Sequence, residues 1–132
     1  MENKECLFCD DEFYTEDNLI YENKYWRVVY DRFPVCNGHI LIIPKRHVES
    51  FFELNVIEMS SLPKVFVDVK NILIEKYKPE GYNIGINDGI ASGQTIKHMH
   101  IHMIPRYNND GGLPCGVRNV FPPHLADYRK YF

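Results

Sequence analysis

The chain has 132 residues, 45% hydrophobic and 14% aromatic, with a formal net charge of -3. That is one domain's length with enough apolar content to bury a core, which excludes a disordered chain. No basic block offers a face for nucleic acid, no apolar run approaches the ~18 residues of a membrane span, and residues 1–5 lack the apolar stretch of a signal peptide.

The expectation is therefore a single domain over residues 1–132, in the cytoplasm, with its cysteines reduced. The N-terminal stretch to Asp17 is polar and irregular apart from Leu7, Phe8, Phe13 and Tyr14. Residues 19–21 and 25–30 read as short strands, with Glu22, Asn23 and Lys24 as the turn between them. Residues 31–38, containing Pro34 and Gly38, read as a loop. Residues 39–43 form a strand that Pro44 closes.

Asn55 and Glu58 have the spacing of a helix capping box. Met59, Leu62, Phe66, Val69, Leu73 and Tyr77 then recur at intervals of three or four, one face of a long helix. Pro63 inside that pattern predicts a kink or a restart, and Pro79, Glu80 and Gly81 end it. Residues 82–86 are a strand, residues 87–95 a glycine-containing loop, and residues 96–104 a strand of period two. After Pro105 the chain is rich in glycine and proline, with a short helix near the C-terminus. This order predicts an α+β fold: a mainly antiparallel five-stranded sheet, one long helix and a short C-terminal helix.

His98, His100 and His102 alternate with Met99, Ile101 and Met103. In a strand, residues two apart point to the same face, so three imidazoles line one side while the apolar residues face a core. A solvated strand face accounts poorly for such clustering. Two chemical readings remain: a metal site, or a neutral imidazole attacking phosphorus to form a phosphoramidate intermediate. The second needs one ring nitrogen bare and the other held by a hydrogen bond.

The flanking residues bear on that choice. Asn87 and Gly93-Gln94-Thr95 precede His98-Met99-His100-Ile101-His102-Met103-Ile104, and Gly38-His39 opens a strand that ends in Pro44-Lys45-Arg46-His47. Both blocks, from about Cys6 to Arg106, resemble the histidine triad (HIT) family. The resemblance implies that His100 is the nucleophile, and that His102 contacts the phosphate and the scissile oxygen. Asn87, Gln94 and Thr95, behind Gly93, would hold phosphate oxygens and the leaving group. Asp31 would accept from the ribose hydroxyls, Phe8 would line the base pocket, and His39 would stand near the site. The substrate would be a purine nucleotide conjugate, either a nucleoside phosphoramidate or a dinucleoside polyphosphate. The assembly would be a homodimer, without nucleic acid or membrane partners.

Cys6 and Cys9 form a C-x-x-C pair, a weak signal alone because redox and metal sites share it. Some histidine triad proteins carry structural zinc on such a pair and two histidines; the matching residues are His47 and His98. Two thiolates and two imidazoles make a closed tetrahedral shell. A zinc ligand at His98 would be withdrawn from catalysis. Cys36 and Cys115 read as free thiols, and His124 as an exposed histidine. The competing classes are a non-catalytic nucleotide- or protein-binding module and a metallohydrolase with the triad as ligands.

Overall fold

The computed structural model describes residues 5–108. Five strands, β1 (Leu19–Glu22), β2 (Trp26–Tyr30), β3 (Ile40–Pro44), β4 (Gly81–Gly85) and β5 (Ile101–Arg106), form one sheet in the order β1-β2-β3-β5-β4. Every neighbouring pair is antiparallel. One long helix, α1 (Val56–Tyr77), joins β3 to β4. The expected α+β architecture is therefore present. The predicted C-terminal helix, Cys115 and His124 lie outside the described residues.

Both sheet faces are covered, which explains why β3 is buried at every position and reads as a continuous apolar run. On one face Trp26, Val28, Ile40, Ile42, Met99, Ile101 and Met103 pack with Leu62, Val65, Val69 and Leu73 of α1. The indole N–H of Trp26 donates to the Ser61 hydroxyl at 2.8 Å, so its polar atom is satisfied inside this core. On the other face Val29, Leu41 and Ile43 pack against Cys6, Phe8 and Cys9 of the N-terminal segment.

The capping box forms as read. The Asn55 side chain accepts from the Glu58 N–H at 2.8 Å, and Glu58 accepts from the Asn55 N–H at 2.9 Å. Glu58 is buried and also takes both arms of Arg46, at 2.7 and 3.1 Å. Burial pushes its carboxyl up, but Arg46 and the Asn55 backbone outweigh this and leave it below the usual value. One alternative is settled and two expectations need correction. The helix runs through Pro63 without a restart; Pro63 forgoes one backbone hydrogen bond, and α1 is held by its packed face. Met59 is exposed and Val65 takes the core position. The last strand starts at Ile101 and not at Ile96, because residues 96–98 bend away from the ladder.

Two joints with positive φ steer the chain into and out of these elements. Gly38 has φ +87°, and an added Cβ would lie 3.1 Å from both the Pro105 and Tyr77 side chains. A side chain there would strain the backbone and collide with packed neighbours, so glycine is needed to turn the chain into β3 just before His39. Lys78 closes α1 in the left-handed region, its N–H bonding to the Ile74 carbonyl at 3.1 Å, and Pro79 prevents continuation.

Candidate active site and metal cluster

The first of two 3-10 turns ahead of β1, Leu7–Cys9, is closed by the Cys9 N–H donating to the Cys6 carbonyl at 3.2 Å. This turn presents both thiols to His47, which follows β3, and to His98. Cys6 Sγ lies 3.4 Å from His98 Nδ1, and Cys9 Sγ lies 3.5 Å from the same nitrogen and 3.2 Å from His47 Nδ1. The two Nδ1 atoms are 3.2 Å apart.

His98 has a defined tautomer. Its Nε2 is 2.8 Å from the Pro44 carbonyl, which only accepts, so Nε2 carries the proton and Nδ1 aims a lone pair at the thiols. Burial holds the ring neutral, down to about 4, despite the Pro44 carbonyl. Burial also pushes the Cys6 thiol up, so a thiolate here needs a cation beside it. Zinc at ~2.0–2.1 Å from nitrogen and ~2.3 Å from sulfur sets tetrahedral edges of roughly 3.3–3.8 Å. The observed separations match that within a few tenths of an ångström. These four residues, with all ligand atoms within 4.8 Å of one another, fit a tetrahedral ion.

The other two triad histidines form a separate group on the same face. His100 Nδ1 is 2.9 Å from the His98 carbonyl. A carbonyl cannot donate, so Nδ1 bears the proton and Nε2 is the bare nitrogen. The Phe8 ring meets the His100 ring edge-on at 5.1 Å. His102 lies 5.3 Å, ring to ring, from His100. Its Nδ1 is 3.0 Å from His39 Nε2. The Val35 N–H donates to His39 Nδ1 at 3.2 Å; His39 therefore holds its proton on Nε2, donates it to His102 Nδ1, and leaves the His102 proton on Nε2. Burial, then the neighbouring His100 and His39, push His102 down to about 4 against the pull of Asp31. Burial likewise lowers His39, opposed by Asp31. The Asp31 carboxylate stands 3.3 Å from His39 Nε2 and accepts from the Phe33 N–H at 2.9 Å.

The remaining expected residues fall on the loop before the triad. Asn87, Gly93 and Thr95 are exposed, and Gly93 closes a short 3-10 turn with φ +93°. Gln94 holds the loop together through its side-chain amide. Oε1 accepts from the Gly89 N–H at 2.7 Å, and Nε2 donates to the Glu49 and Ile96 carbonyls at 2.9 and 3.0 Å. Thr95 lines an open cavity of about 340 Å³ with Glu5, Cys6, Leu7, Ile96 and Lys97. Sequence reasoning missed Asp88, which accepts from the Ser50 hydroxyl at 3.1 Å and the Phe51 N–H at 2.7 Å and ties this loop to the segment after His47. Ser50 and Glu53 form a second capping box, but no local spacing points from it to Asp88, 38 positions away. The Val35 N–H and the Pro44 and His98 carbonyls left no side-chain signal at all.

Comparison with known proteins agrees with this geometry. The HIT domain model matches residues 12–109. A 16.1 kDa HIT-like protein of Mycoplasma pneumoniae is 30% identical over 124 residues, covering 91% of this chain and 84% of its own. The bis(5'-nucleosyl)-tetraphosphatase [asymmetrical] of Schizosaccharomyces pombe is 31% identical over 99 residues, covering 75% of this chain; the match spans only 54% of that enzyme's length. Among solved structures, a zinc-bound histidine triad family protein from Mycobacterium smegmatis superimposes with a TM-score of 0.70 and 31% identity, over 80% of this chain and 77% of that one. Its motifs, its sheet and these matches place the chain in the HIT family.

Proposed function

We propose that the protein is a nucleotide hydrolase or nucleotidyl transferase acting at the α-phosphate of a purine nucleotide conjugate, through a nucleotidyl intermediate on His100. The observation that carries this reading is the 2.9 Å contact of His100 Nδ1 with the His98 carbonyl, which requires the proton on Nδ1 and leaves Nε2 free to attack. Attack forms a P–N bond and breaks the bond from phosphorus to the leaving group. The His102 Nε2–H, fixed by His39, donates to a phosphate or scissile oxygen as charge develops there. Water or another acceptor then displaces His100 and completes the reaction. Asp31 accepts from the ribose hydroxyls, and the exposed Asn87 and Thr95 side chains meet phosphate oxygens.

Cys6, Cys9, His47 and His98 would hold zinc, whose closed shell supplies structural cross-linking and activates no water. The similarity to a dinucleoside polyphosphate hydrolase supports that substrate class, alongside nucleoside phosphoramidates. The test is incubation with a panel of both, with products identified by mass spectrometry. A nucleoside monophosphate adduct trapped on His100, and no turnover by His100→Ala with nucleotide affinity retained, are expected. Near-normal turnover by that variant would overturn the proposal.

A further inference from the structure

Phe8 sits midway along the Cys6–Cys9 turn, and its surroundings differ from those of a base-stacking wall. Its residue is only 1% exposed, so no ring face is open to a nucleobase. The ring instead meets His100 at 5.1 Å and 74°, His98 at 5.8 Å and 89°, and Phe13 at 5.5 Å. The Phe8 carbonyl accepts from the Tyr14 hydroxyl at 2.7 Å, and the cysteine on either side is buried. The ring is thus held from several directions while bearing on the nucleophile.

His100 needs such a contact. The hydrogen bond from Nδ1 to the His98 carbonyl fixes one atom of the imidazole, but the plane can still pivot about that bond. Because χ2 of histidine is a broad, soft torsion, one hydrogen bond does not aim Nε2. An edge-on aromatic neighbour on a second side removes that freedom at the distance such pairs prefer.

We propose that Phe8 is a positioning residue for His100, setting the plane of the nucleophile's imidazole from a turn anchored by Cys6 and Cys9. This rests on His100 being the nucleophile. It separates from a base-binding role because a misaimed nucleophile lowers kcat for every substrate, whereas a lost base wall raises KM for substrates that have a base.

The experiment compares Phe8→Leu, Phe8→Met and Phe13→Leu with the parent. Each is assayed on a dinucleoside polyphosphate and on a truncated ribosyl polyphosphate that has no base. The imidazole nitrogens of His100 are followed by 15N NMR in the absence of substrate. Phe8→Leu should lower kcat on both substrates by about tenfold or more, with KM within about twofold. The His100 Nδ1–H signal should shift or broaden. Phe13→Leu, which removes a ring from the same cluster one layer further out, should lose stability but keep kcat within about twofold. If Phe8→Leu does not fold, Phe8→Met is read in its place.

A KM increase confined to the base-bearing substrate, or an unmoved His100 signal with unchanged kcat, would overturn the proposal. Failure of the nucleophile assignment is distinguishable. It would appear as turnover surviving in His100→Ala, while the NMR of Phe8→Leu would still report whether the ring is held.

Discussion

Acidification should destabilise the fold through His102, and by an amount the structure allows to be worked out. His102 lies beside His100 and His39 with its side chain 24% exposed, and burial first, then those neighbours, hold it at about 4 against an ordinary 6.5. The folded value lies below the unfolded one, so the unfolded chain takes up the proton first. The stabilisation is fully present above 6.5 and is lost as the pH falls towards 4. Linkage over those limits gives a loss of about 2 kcal/mol between about pH 7.5 and about pH 5. The assay is urea unfolding of the parent and of His102→Asn at both pH values. Asparagine can still accept from His39 but does not titrate, and other titrating groups are common to both proteins. The parent should lose about 2 kcal/mol more than the variant over this interval. Parallel losses would refute the burial argument.

Purified protein should contain one zinc ion per chain by metal analysis, and chelation should lower Tm because binding to the Cys6, Cys9, His47 and His98 cluster is coupled to folding. Protein free of zinc and carrying a Cys6–Cys9 disulfide would count against the site. Asp31→Ala should weaken binding of a ribonucleotide by about tenfold or more, and of its dideoxy analogue far less; calorimetric titration of both distinguishes the two. Glu58→Ala should cost about 2–3 kcal/mol in chemical unfolding, since it removes the Arg46 pair and the carboxylate that accepts from the Asn55 N–H in the capping box. Val67 and Ile74 of α1 are exposed, as is Ile84 of the sheet-edge strand β4. A homodimer pairing these elements predicts that sedimentation at micromolar concentration gives more than the 15.6 kDa monomer.

The sheet and helix are legible in the sequence because their signals are local. Turn residues bracket β1 and β2, and Asn55 with Glu58 marks the start of α1 to the residue. The helix face read from spacing is rotated slightly, since Val65 and Met59 are both apolar and only the tertiary packing chooses between them. The four residues of the metal cluster are readable only through family resemblance: Cys6 and His98 are 92 positions apart, and no local spacing joins them. Gln94 reads as a phosphate contact because its place before the triad suggests one, and its amide also staples three backbone groups together. The proton positions on His39, His98 and His100 are beyond sequence, because backbone groups from Val35, Pro44 and His98 fix them.

The early parting of β5 from β3 limits how this motif can be transplanted. Their pairing stops at Ile42 opposite Ile101. Beyond it the Met99 N–H turns to the Val48 carbonyl at 2.7 Å, and the carbonyls of Pro44 and His98 accept from imidazoles. Had the two strands stayed zipped as far as His98, ladder hydrogen bonds would have claimed the carbonyls that now dictate tautomers. Grafting His-x-His-x-His onto an uninterrupted strand of another scaffold would reproduce three rings on one face, but without the frayed junction it would leave the first two rings free to choose where their protons sit. The portable unit is the fork between two strands together with the histidines that fill it.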